Sequence, residues 1–149
     1  MRSALRTTAV GAAISAVVGS LTLIGATPAA AATTCSGWDG TVKGWFSVCR
    51  EDIADGDEGG VSGYAERRLG GTTYARAEFR ANGEWWHITN NTAQLVRVFR
   101  YVNGSIQPKV SVAAGKSESI NSSYAEGAKV RVQICVADRG CTVLDNLVA

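Results

Sequence analysis

Ala77-Glu78-Phe79-Arg80-Ala81-Asn82-Gly83-Glu84-Trp85-Trp86-His87-Ile88 is the stretch whose reading decides how this chain folds. Asn82-Gly83 accepts the positive φ angles of a type I′ turn, so a two-residue loop joins two antiparallel strands and fixes their register. Ala81 then pairs with Glu84, Arg80 with Trp85, Phe79 with Trp86, Glu78 with His87 and Ala77 with Ile88. Ala77, Phe79, Trp86 and Ile88 form an apolar inner face. On the outer face the register predicts a Glu78–His87 charge pair and a cation–π contact between Arg80 and Trp85.

The same period of two runs through the remaining chain between Gly and Asn punctuation, and no long stretch shows helical spacing. Over Lys129 to Val136, Val130, Val132, Ile134 and Val136 point one way, while Lys129, Arg131, Gln133 and Cys135 point the other. A second Asn-Gly, at Asn103-Gly104, separates the run Gln94 to Val102 from Ser105 to Ala113. The first run is apolar on both faces, as in a central strand, and Pro108 removes a ladder donor from the second, which places it at an edge. Further strands are expected over Thr41 to Cys49, Val61 to Arg68, Thr72 to Arg80, Ser117 to Ile120 and Thr142 to Val148. About eight short antiparallel strands make an all-β chain, read as a small disulfide-stabilised β-sandwich with a small barrel as the alternative.

The first 32 residues read as a secretory signal peptide. Arg2 and Arg6 supply a positive start, Ala9 to Ile24 an apolar centre, and Ala29 to Ala32 small-residue cleavage sites. The centre falls short of a membrane span, and Ala32-Thr33-Thr34-Cys35 does not fit a lipoprotein cleavage site. A single extracellular domain, residues 33–149, is expected to remain. Cleavage takes away two of the 15 basic residues and none of the 13 acidic ones, leaving 13 of each. That balance argues against nucleic acid as a partner, since phosphate binding needs a cationic surplus. The adjacent pair Arg67-Arg68 reads as a solvated strand end.

Four cysteines, Cys35, Cys49, Cys135 and Cys141, follow the signal, and an even count in an exported chain reads as two disulfides. Of three pairings, Cys35–Cys49 with Cys135–Cys141 is preferred, because each closes a short loop without requiring the chain ends to meet. One histidine and no Cys-x-x-Cys spacing leave zinc without a ligand set. The loop Glu51 to Gly60 carries five acids and three glycines, and Asp55, Asp57, Gly60 and Glu66 mimic the spacing of an EF-hand. Ser62 stands in the apolar slot, Gly59 offers no ligand, and neither flank is helical, so the loop reads as a solvated connection.

No catalytic residues, metal or cofactor are expected. His87, the single histidine, already has a strand partner, the cysteines are committed, and no Gly-x-Ser-x-Gly elbow nominates a nucleophile. Recognition is the remaining role, and the large rings Trp38, Trp45, Tyr64, Tyr74, Trp85 and Tyr101 exceed what one core of this size must bury. Trp85, beside Arg80, is the leading contact residue. Three readings follow: a subunit that docks another secreted protein, an inhibitor of an extracellular hydrolase that offers Arg139 from the Cys135–Cys141 loop, and a carbohydrate or cell-surface binder.

The alanine-rich signal, the size of the mature chain, the strand-borne cysteines of Ser47-Val48-Cys49 and Gln133-Ile134-Cys135, and the all-β pattern resemble small secreted proteins of filamentous actinobacteria. Among these, the plan is similar to the adaptor subunits of umbrella toxin particles. The resemblance implies a non-catalytic adaptor that links a lectin-like subunit to the stalk of a large toxin, antagonising competing bacteria without toxicity of its own.

Overall fold

A computed structural model describes residues 35–51, 53 and 56–149, so the expected signal peptide, residues 1–32, lies outside the described residues. The strands in chain order are β1 (Gly37–Trp38), β2 (Phe46–Arg50), β3 (Gly63–Leu69), β4 (Thr73–Arg80), β5 (Trp85–Asn91), β6 (Val96–Val102), β7 (Ser105–Ile106), β8 (Val110–Val112), β9 (Ser117–Asn121), β10 (Lys129–Val136) and β11 (Gly140–Val148). They form two antiparallel sheets. One has the order β1-β11-β10-β6, with β7 and β8 both on the far edge of β6, and the other has the order β2-β3-β4-β5-β9. Both sheets are open, so the chain is a sandwich and not a closed barrel.

Alternation carries the core, as expected for antiparallel sheets with one wet face. On β10, Val130, Val132, Ile134 and Val136 are buried between the sheets. Opposite them lie Ala75, Ala77, Phe79, Trp86 and Ile88. Phe79 and Trp86 are fully buried, with ring centroids 5.0 Å apart, and Trp86 Nε1 donates to Tyr124 Oη at 3.0 Å.

The β4–β5 register is the expected one, from Arg80 opposite Trp85 to Ala77 opposite Ile88. The turn chemistry differs. Positive φ falls on Gly83 (76°) and Glu84 (54°), not on Asn82, so this is not a type I′ turn. Register survives because the Glu84 N–H still bonds the Ala81 carbonyl at 3.0 Å and the same four residues separate Arg80 from Trp85. Asn103 (49°) and Gly104 (80°) do carry the two positive φ values, between the paired residues Val102 and Ser105. Pro108 breaks the segment after that turn into β7 and β8, both at the sheet edge.

Both disulfides are the local ones, Cys35–Cys49 and Cys135–Cys141. The reading of Arg67-Arg68 as a solvated strand end is corrected: Arg67 is fully buried on the inner side of β3. Its Nε donates to the Arg139 carbonyl at 2.8 Å, Nη2 to the Gly40 carbonyl at 2.8 Å and Nη1 to Ser47 Oγ at 3.0 Å. Sequence spacing could not show this, because the three acceptors come from distant segments that converge at one end of the sandwich. There Ser47 Oγ also meets Thr142 Oγ1 at 2.6 Å, joining the two sheets directly.

Non-reducing peptide mapping should recover only Cys35 linked to Cys49 and Cys135 linked to Cys141. Loop entropy sets the size of each contribution, for sequence separations of 14 and 6 residues. Cys35→Ala/Cys49→Ala should therefore cost about 3 kcal/mol in urea unfolding and Cys135→Ala/Cys141→Ala about 2 kcal/mol.

Candidate functional site

The outward residues of the β2-β3-β4-β5-β9 sheet form continuous cross-strand rows. One row runs Arg50, Tyr64, Glu78, His87, Ser119, and the next runs Val48, Glu66, Arg76, Thr89, Ser117. Flanking them are Phe46, Arg68, Tyr74, Asn91 on one side and Arg80, Trp85, Asn121 on the other. These positions hold four arginines and two glutamates but no lysine, so the face is cationic through guanidinium groups alone.

Glu66 organises the centre. Its side chain is fully covered, with one carboxylate oxygen bonded to Arg68 Nε and the other to Arg76 Nε at 2.9 Å. The Arg76 guanidinium lies 4.2 Å from the Tyr64 ring centre and 5.6 Å from that of Tyr74, and Arg68 lies 5.5 Å from Tyr74. Desolvation lowers the Arg76 pKa, but the hydrogen bond and charge of Glu66 outweigh it, and the net direction is up. Arg76 is thus a fixed cation held by an anion beneath and aromatic rings alongside.

At the β5 side of the face, Trp85 is 38% exposed and stacks on His87, with centroids 6.1 Å apart and planes 7° from parallel. His87 Nδ1 is 3.2 Å from Ser119 Oγ. The expected outer pairings are therefore corrected, although the register beneath them holds. Arg80 reaches along its own strand to Glu78, and His87 turns to Trp85 and to the neighbouring strand β9. Residues two apart on one strand share a face, so Arg80 competes with His87 for Glu78 and takes it.

Trp85 and Arg80 thus come together on this face, and Arg139 does not join them. It sits at the β10–β11 hairpin, half-buried, with its carbonyl held by Arg67 and its Nε closed off from solvent without a partner among the described residues. Trp45, also expected to be a contact residue, is core. Glu66, which only mimics the last position of an EF-hand in spacing, is bound by Arg68 and Arg76, and Asp55 lies outside the described residues. Among the described residues no group of three or more His, Cys, Asp or Glu side chains is arranged to hold a metal.

The sequence pattern anticipates the position of Trp85 on this outer face, opposite Arg80, and does not single out Arg68 and Arg76. The signal was present in β4, where Tyr74, Arg76, Glu78 and Arg80 alternate with buried Ala75, Ala77 and Phe79. Ser119 beside His87 was also unforeseen, because β9 reaches β5 only through a long connection. No protein-family model, curated protein or solved structure matches the chain.

Glu66→Gln should lower unfolding free energy by about 2 kcal/mol, because two partly covered guanidinium groups lose their anion. Trp85→Ala should change it by less than about 1 kcal/mol, as expected for an exposed ring. Urea unfolding monitored by circular dichroism separates the two outcomes.

Proposed function

We propose that this chain is a secreted, non-catalytic domain that docks another extracellular protein through the outer face of the β2-β3-β4-β5-β9 sheet, as an adaptor subunit of an antibacterial toxin complex. The observation that carries the docking reading is the arginine and aromatic array centred on Arg76 and bordered by Trp85. Protein interfaces favour Arg, Tyr and Trp and disfavour Lys, and this face has that composition. Arg68 and Arg76 are already held by Glu66 and lie against tyrosines, and Arg80 is held by Glu78, so these side chains lose little entropy on binding. A partner with an acidic, shallow surface would complement it.

Two disulfides accord with an extracellular location. The adaptor assignment rests on the outline resemblance to umbrella toxin adaptors. The inhibitor reading loses its main support, since a protease pocket needs an extended basic side chain and Arg139 is half-buried with its backbone engaged.

Purification from the producing organism's culture supernatant should yield a stoichiometric complex with a larger secreted protein. Trp85→Ala should weaken that complex at least tenfold, about 1.4 kcal/mol, at unchanged melting temperature, and Arg80→Ala should weaken it less. A solitary monomer, or wild-type affinity in both variants, would overturn the proposal. Loss of protease inhibition confined to Arg139→Ala would favour the inhibitor instead.

A further inference from the structure

On the opposite side of the sandwich, the outer face of the other sheet is interrupted by a cleft of about 520 Å³ between the Asn103-Gly104 turn and the β10–β11 ladder. Its origin is a β-bulge. Val130 pairs with Leu147 and Val132 with Leu144, so Asp145 and Asn146 together oppose Arg131. Asn146 takes a positive φ of 67°, a conformation that costs a non-glycine residue and is concentrated at functional sites. An extra residue here breaks the flat side-chain array that covers the rest of the sheet.

The groups brought to the cleft are complementary in kind. Tyr101 lies directly across from Arg131 on β6, and the Arg131 guanidinium sits 5.2 Å from its ring centre. Arg131 Nε also bonds Asp145 Oδ1 at 3.1 Å, and the Asp145 N–H is held by Ser36 Oγ at 2.8 Å. Asp145 is thereby oriented by two contacts before any ligand arrives. Lys129 and Asn146 line the same cleft and are exposed. Gly104 at the mouth has no atom within 4 Å of where a Cβ would stand, so that wall is open.

We infer that this cleft is a binding site for a neutral saccharide. Sugar hydroxyls both donate and accept, and the cleft supplies acceptors at Asp145 and Asn146 next to donors at Asn146, Lys129 and Arg131. The Tyr101 ring and the partly exposed Val148 suit the C–H face of a pyranose. The volume lies within the roughly 300–1,000 Å³ of small-molecule sites. A simple anion fits less well, because Asp145 faces it. A peptide strand has no free edge of β10 to join, because β10 is paired with β6 on one side and with β11 on the other at this point. Since the cleft and the Trp85 face lie on opposite sides of the sandwich, sugar and protein partner can be held together.

The test is a titration of the ¹⁵N-labelled mature protein, followed by amide shifts, with glucose, galactose, mannose and N-acetylglucosamine. Each is taken to about 50 mM, fifty times a 1 mM Kd. At least one sugar should shift the amides of Tyr101, Arg131, Asp145 and Asn146 and leave those around Trp85 in place. Asn146→Gly keeps the left-handed backbone while removing the amide, and should weaken that sugar about tenfold at unchanged melting temperature. Tyr101→Ala should weaken it similarly. The inference is overturned if no sugar shifts these amides, if the shifts cluster at Trp85, or if both variants bind as the wild type does.

Discussion

Arg67 carries its charge into the interior of the sandwich, where its guanidinium bonds the Arg139 carbonyl, the Gly40 carbonyl and Ser47 Oγ. Those partners belong to the β10–β11 hairpin and to the neighbouring segment after β1 and edge strand β2, two regions about a hundred residues apart in sequence. Burial lowers the Arg67 pKa, and the nearby Asp39 charge partly offsets that effect. A guanidinium tolerates such burial better than an ammonium, because it is more weakly hydrated and its five donors spread over a rigid fork. The approach is close: at Gly140, where φ is 85°, a Cβ would stand 2.9 Å from Arg67 Nη2. Asp39 closes the arrangement by accepting the Cys141 N–H at 2.9 Å.

Strand β3 is consequently covered on both sides. Arg67 faces inward and ties the segment after β1 and strand β2 to the β10–β11 hairpin, and the preceding residue, Glu66, faces outward and gathers Arg68 and Arg76. One dipeptide therefore links the joint between the sheets to the proposed docking face. A shift of β3 along its length would disturb both at once, because neighbouring residues on a strand point to opposite faces. The two candidate surfaces differ in construction. The Trp85 face is a regular sheet with charges preset by Glu66 and Glu78, whereas the cleft exists only because Asp145 and Asn146 break the ladder.

What could be read from the sequence follows from which forces act locally. Alternation and Asn-Gly punctuation placed the β4–β5 register and β10, since a one-residue slip would turn Phe79 and Trp86 outward. The short cysteine spacings pointed to the observed disulfides. Side-chain partners on the outer face were not legible, because Glu78 had two eligible neighbours, His87 across the strand and Arg80 along it. The burial of Arg67 was invisible for a stronger reason: its acceptors are backbone carbonyls and a hydroxyl, whose convergence no residue pattern encodes. The bulge at Asn146 was missed because Leu144 and Leu147 are three apart and break the period of two without any glycine to announce it.

Equilibrium urea unfolding of Arg67→Met tests most directly whether Arg67 is the joint on which the sandwich depends. Methionine fills similar space but leaves the Arg139 and Gly40 carbonyls and Ser47 Oγ without their donor. The account predicts a loss of about 3 kcal/mol, the combined cost of several bonds to a charged group and of buried acceptors left unpaired. Arg67→Lys should recover only part of it, since one ammonium cannot span acceptors arranged around a planar fork. An Arg67→Met protein within about 0.5 kcal/mol of the wild type, the range of ordinary surface substitutions, would contradict the account.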